Sequence, residues 1–250
     1  PKFSGDKLPH SPESAALALA DRLDTLIGIF GIGQLPTGSK DPFALRRASL
    51  AVIRILLAFA PTANLEMILT TAKQSFPSGV LDEGVVDTVK AYLLDRLPAH
   101  YEEQGVSVDI LRSVTAVSTE TIGDIDCRSL AVTSFAGSDA ANALAAANKR
   151  VANILTKVDE TLPAIDEQLL TERAELALRA ALTESQASLD AAVADNDYPQ
   201  ALSNLAKLRE PVDAFFDNVL VNTDDASVRL NRLALLQESV SYTHLRAHET

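Results

Sequence analysis

Residues 142–158 read NALAAANKRVANILTKV, and this stretch decides the fold class. Alanine and leucine dominate it, and apolar residues return at three- and four-residue spacing, the period of one buried face of a helix. Runs of alternating β-branched residues, which a strand would need, are nearly absent from the whole chain. Ser138-Asp139 supplies the N-cap. Downstream, two long amphipathic segments are expected near 167–194 and 198–222, broken at Asn196-Asp197-Tyr198-Pro199. A last helix starts at the cap Thr223-Asp224-Asp225 and runs through SVRLNRLALLQ. These four segments predict an antiparallel helical bundle over 138–238 in an all-α protein.

Upstream the pattern continues. Ser11-Pro12 is a cap with a first-turn proline. Ala15, Leu17, Leu19, Leu23, Leu26, Ile27 and Phe30 give the buried side of a helix ending in Gly28, Gly31 and Gly33. Asp41-Pro42 restarts a helix carrying Phe43, Leu45, Leu50, Val52, Ile53, Leu56 and Leu57 to about Ala60. Further helices are expected near 63–75, 82–97, 106–116 and 124–135, separated by Pro77-Ser78-Gly79, Pro98 and Gly123. The organisation read from these signals is a helical region at 1–62, a helical connector at 63–137, the bundle, and a tail at 239–250. That tail, SVSYTHLRAHET, abandons the leucine stripe, holds two of the four histidines and reads as appended, non-native sequence.

Composition narrows the function. The 47% hydrophobic content suits a packed core, and acidic or basic residues break every apolar run before it could span a membrane. Lacking also a basic-then-apolar leader pattern, the chain reads as soluble, and a lone Cys127 fits a reducing cytoplasm and a small buried core position. The net charge of −12 is uneven: residues 1–60 hold seven basic and five acidic side chains, residues 61–250 hold 15 and 29. An acidic bulk repels polyanions, so any nucleic-acid contact needs a local basic face.

Several motifs bear on chemistry. Gly33-Gln-Leu-Pro-Thr-Gly38-Ser39-Lys40 approximates a phosphate loop, but Ser39 and Lys40 are transposed and Pro36 removes an amide, so a helix–helix turn with Gly38 at positive φ is expected. Asp21 and Asp24 share a helix side, and Ala-Asp21-Arg22-Leu-Asp24 resembles the closing Asp helix of HD-type metal phosphohydrolases. Those enzymes also need a His-Asp pair, and the chain has none, so no metal site is expected. His10, His100, His244 and His248 have no nucleophile at a recognisable elbow. Basic pairs occur at Arg46-Arg47 and Lys149-Arg150, with Lys207 and Arg209 among the other cations, while Tyr198, Phe215 and Phe216 are candidate rings for an unstacked base, with Phe215-Phe216 more simply core.

Four runs carry a family resemblance: ALADRLDTLIGIFGIGQLPTGSKDPFALRRASLAVIRIL at 18–56, ALAAANKRVANIL at 143–155, LREPVDAFFDNVLV at 208–221 and DDASVRLNRLALL at 224–236. Together they resemble the C-terminal part of the β subunit of bacterial heterotetrameric glycyl-tRNA synthetase: the end of an HD-like domain, a helical linker and a DALR-like anticodon-binding domain. The resemblance implies a ligase subunit that holds glycine tRNA while the α subunit activates glycine with ATP and magnesium, in an α2β2 assembly, with no cofactor or catalytic residue on this chain. On the first bundle helix it directs attention to Asn148, Lys149, Arg150, Asn153 and Lys157, and on the DALR-like helix to Arg229 and Arg232, as tRNA-facing residues. Lys40, Arg46, Arg47 and Arg54 are the second group, for acceptor-side phosphates. Two other readings remain open here: a structural scaffold joining subunits without RNA contact, and a degenerate HD-type phosphohydrolase fragment.

Overall fold

A computed structural model describes residues 7–37, 40–158 and 160–243, and among them the regular structure is helical, with two isolated β-bridges, Thr37–Lys40 and Asn64–Thr121. The chain divides into two compact units, Pro1–Leu130 and Ala131–Thr250, with the division inside a helix.

The first unit is built on α1 (Pro12–Gly31), α2 (Leu45–Phe59), α3 (Leu65–Gln74) and α4 (Val85–Leu94), followed by α5 (Leu97–Tyr101), α6 (Val108–Val117) and the start of α7 (Ile122–Ala136). Ser11 and Ser14 form a reciprocal capping box at the start of α1. Gly28 and Gly31 lie inside that helix, not beyond its end. A Cβ on Gly31 would fall 2.6 Å from Leu81, so these positions let α1 approach its neighbours closely. Gly33, at φ 76°, is the residue that turns the chain out of the helix. Leu17 is 74% exposed because it sits two residues, about 200° of helical rotation, from Ala15 and off the stripe made by Leu23, Leu26, Ile27 and Phe30.

Three further expectations are corrected here. The second helix begins at Leu45, not at Phe43: Ala44 adopts a left-handed φ of 56°, and the Asp41 carboxylate reaches past it to accept from the amides of Leu45 at 2.7 Å and Arg46 at 3.0 Å. Phe43 is therefore outside the helix and exposed. Residues 63–130 share one core with α1 and α2, through Leu65, Leu69, Val89, Leu93, Leu97 and Tyr101, and so do not behave as a separate connector. Cys127 is exposed, because α7 buries Ile122, Ile125 and Ser129 at three- and four-residue spacing and Cys127 falls off that row.

The second unit contains α8 (Asp139–Leu155), α9 (Arg173–Ala194), α10 (Tyr198–Ala206), α11 (Arg209–Asn218) and α12 (Ala226–Thr243). Its core gathers Val151, Leu178, Leu182, Phe215, Leu235 and Leu236 from four of its helices. Asn196, at φ 56°, makes the tight turn that folds α10 back on α9. The segments expected near 167–194 and 198–222 are both interrupted. The first is a short 3-10 turn at Glu167–Leu169 before α9, and the second divides at Lys207–Leu208 into α10 and α11. α12 passes through the junction at 239 without a break: Ser239 is buried and its hydroxyl donates to the Leu236 carbonyl, and Val240 packs on the core. The register change read at 239 therefore does not interrupt the helix before Thr243. The rest of the tail, like the expected φ of Gly38, lies outside the described residues.

Candidate nucleic-acid interface

α8 presents two faces. Leu144, Ala147 and Val151 are buried, with Ile154 and Leu155 packed beside them. On the opposite side Lys149, Asn153 and Lys157 fall at i, i+4 and i+8 and are all exposed, with Lys157 in the turn that closes the helix. Residues so spaced stand one above the other on a helix, so two ammonium groups flank one amide along a single line. The cations also sit in the C-terminal half of the helix, where its dipole favours positive charge. Arg150, one position round and likewise exposed, places its guanidinium carbon 4.1 Å from the centre of the Phe216 ring. Asn148 is half-buried toward the core side.

Arg232 does not belong to this surface. It is 8% exposed, and its Nε donates to the carboxylate of the fully buried Glu175 while Nη1 donates to the Leu220 carbonyl at 2.9 Å. The same carboxylate accepts from the amides of Thr171 and Glu172, both at 2.8 Å. Beside it, Asn231 clamps the backbone of Asp166, accepting at 2.7 Å and donating at 2.9 Å. The DALR-like helix is thus locked internally through Asn231 and Arg232, a role that only the buried acid at 175 on an otherwise apolar face could have signalled. Arg229 is half-buried, with Nη1 3.4 Å from the Thr223 carbonyl. Tyr198 is buried and Phe215 fully so, which removes both as stacking rings, whereas Phe216 reaches the surface side of the core.

The second group of candidates lies in the first unit. Lys40 is exposed and pairs its backbone with Thr37 in both directions. Arg47 is exposed and Arg46 and Arg54 are half-buried, and each of the three already engages other groups of the protein. Asp21, with its side chain 75% exposed, pairs with Arg22 at 3.4 Å and not with a metal-binding set. Among the described residues no group of three or more His, Cys, Asp or Glu is placed to hold a metal ion, and no helix is long and apolar enough to cross a membrane.

A polar cluster in the first unit surrounds His100. The Tyr101 hydroxyl donates to the Asp126 carboxylate at 2.5 Å, and burial together with that bond raises the phenol pKa. Burial lowers the His100 pKa; the Asp126 carboxylate opposes the shift and the Arg54 guanidinium adds to it. An imidazole whose folded pKa lies below its unfolded value binds fewer protons in the folded state, so stability rises with pH in that window and is lost on acidification. Thermal unfolding between about pH 7.5 and about pH 5.5 is expected to show a falling Tm that is flatter in His100→Gln. Equal slopes for the two proteins would remove His100 from the cause.

Comparison with known proteins accounts for both units. Residues 144–246, within the second unit, match the family described as DALR anticodon binding domain, a helical domain. Residues 1–116 match the family described as Glycyl-tRNA synthetase beta subunit. Proteins named Glycine–tRNA ligase beta subunit are similar throughout: 49% identical over 237 residues in Photobacterium profundum, 48% in Pseudomonas aeruginosa and 47% in Shewanella oneidensis. Each alignment covers 94% of this chain and 34% or 35% of the relative, so the chain spans about a third of the length of the curated relatives it matches. Over residues 1–116 the chain matches the glycyl-tRNA synthetase beta subunit family, and over 94% of its length it is similar to proteins named Glycine–tRNA ligase beta subunit.

Proposed function

We propose that this chain is a tRNA-binding portion of a glycine–tRNA ligase β subunit. It holds glycine tRNA in the cytoplasm while a separate α subunit attaches glycine using ATP and magnesium, in an α2β2 assembly. The observation that carries this reading is the exposed row Lys149, Asn153 and Lys157 on α8, set in a unit that matches an anticodon-binding family. An acidic protein can bind RNA through such a row because only the surface meeting phosphates must be positive, and an amide between two cations can meet base edges or sugar hydroxyls. Cofactor chemistry is assigned to the α subunit, and this chain contributes binding and orientation.

The test is fluorescence anisotropy with labelled glycine tRNA at two salt concentrations, repeated with an anticodon-swapped tRNA. Saturable binding that weakens with salt and with the swap is expected. Replacing Lys149 and Arg150 together by Ala is expected to reduce affinity by more than about tenfold, with a shallower salt dependence. Unchanged affinity in that double variant would move the interface off α8.

A further inference from the structure

The contact between Arg150 and Phe216 carries more than charge. The Phe216 ring stands edge-on to Phe215, with centroids 6.0 Å apart and planes at 82°, and Phe215 is fully buried. Phe216 itself packs on the core, so its ring is fixed from beneath. Arg150, on a different helix 66 residues earlier, lies over that ring. The guanidinium carbon thus sits over hydrocarbon, 4.1 Å from the ring centre, while the residue remains exposed. Among the described residues no carboxylate pairs with it. A guanidinium needed only to neutralise phosphate gains nothing from a ring beneath it, and an ammonium would serve as well. A planar, delocalised cation over an aromatic ring, on a residue that stays exposed, is suited to take a second planar π-system.

We propose that Arg150, held on Phe216, is the stacking platform for one unpaired base of a bound RNA. The proposal rests on the tRNA-binding reading above and assigns the chemistry of one subsite within it. Asn153 lies at i+3 from Arg150 and at i+4 from Lys149, on the helix surface shared by both, so its amide stands where the edge of a stacked base would lie. Lys149 and Lys157 take the flanking phosphates. Bases inside a duplex have no free face to offer, so the subsite selects a loop or single-stranded nucleotide.

The experiment uses the 250-residue chain with a stem–loop RNA carrying 2-aminopurine at each loop position in turn, and a blunt duplex as control. Arg150→Lys keeps the charge and removes the plane. It is expected to weaken stem–loop binding about tenfold, at the low end of what one stacked base contributes, and to leave the salt slope unchanged. Binding should quench 2-aminopurine at one loop position in the wild type and not in Arg150→Lys. Phe216→Leu, with unfolding monitored by circular dichroism, should reproduce both effects. Wild-type affinity in Arg150→Lys, a loss accompanied by a reduced salt slope, or equal affinity for the blunt duplex would overturn the platform while leaving RNA binding intact. No salt-dependent binding of any RNA by the wild type would overturn both.

Discussion

Arg232→Ala is expected to lower the unfolding free energy of the second unit by about 3–5 kcal/mol, the cost of leaving a buried carboxylate without its cation. Glu175 is fully buried, and its carboxylate ties together the amides of Thr171 and Glu172, the start of α9, and α12 through Arg232. The arginine in turn holds the Leu220 carbonyl of the loop that leads into α12. Removing the guanidinium therefore orphans two acceptors at once, and no surface ion pair could have a comparable effect, since exposed pairs contribute about 0–1 kcal/mol. Glu175→Ala is expected to cost more than Arg232→Ala, because it strands a buried guanidinium and two helix-end amides together. Replacing both residues by hydrocarbons does not restore stability for the same reason: the amides of Thr171 and Glu172 remain without an acceptor. Chemical denaturation of the two single variants, followed by circular dichroism, checks the ranking. A loss of less than about 1 kcal/mol in Arg232→Ala would show that water reaches the pair and screens it.

How much of this was legible in the sequence follows from what each signal depends on. The all-helical class depends on local spacing alone, and the capped starts at Ser11 and Ser138 and the apolar stripes of α1, α2 and α8 are local facts. The roles of the arginines are not local. Arg229 and Arg232 sit one turn apart in the same run, yet one is half-buried and the other closes on an acid 57 residues away. The usable hint was polarity out of place: Glu175 precedes Leu178 and Leu182 on their apolar row, and an acid there needs a partner. Arg150 lies on an exposed face, but its aromatic support, Phe216, comes from another helix and cannot be read from spacing. Boundaries failed at Ala44 before α2, where the backbone turns left-handed, and at Lys207–Leu208, where one expected segment divides into α10 and α11. The division of the chain misled for a related reason: prolines and glycines between short helices resemble a linker until their apolar faces are seen to close one core with α1 and α2.

Gly123→Ala is expected to destabilise the first unit by about 2–3 kcal/mol, against the sign that helix propensity alone would give. Gly123 lies in the first turn of α7, where alanine would ordinarily gain about 1 kcal/mol over glycine. Its amide, however, donates to the Pro61 carbonyl at 3.0 Å, and a Cβ would stand 2.5 Å from that same oxygen and 2.6 Å from the Pro61 Cβ. The obstruction is backbone and a rigid ring, so no side-chain rotation relieves it, and the segments must separate. They are joined at several points: the Leu65 amide donates to the Glu120 carbonyl at 2.7 Å, and Asn64 bridges Thr121. A shift at Gly123 strains these bonds as well, which is why the steric cost exceeds the propensity gain. Gly31→Ala is the milder contrast: its Cβ would meet only the Leu81 side chain, of which Cδ2 at 2.6 Å can rotate away while Cβ at 2.8 Å moves only with its own backbone. Thermal unfolding should therefore rank wild type above Gly31→Ala and Gly31→Ala above Gly123→Ala, and a Gly123→Ala protein as stable as the wild type would mean that the 61–65 and 120–124 turns separate at little cost.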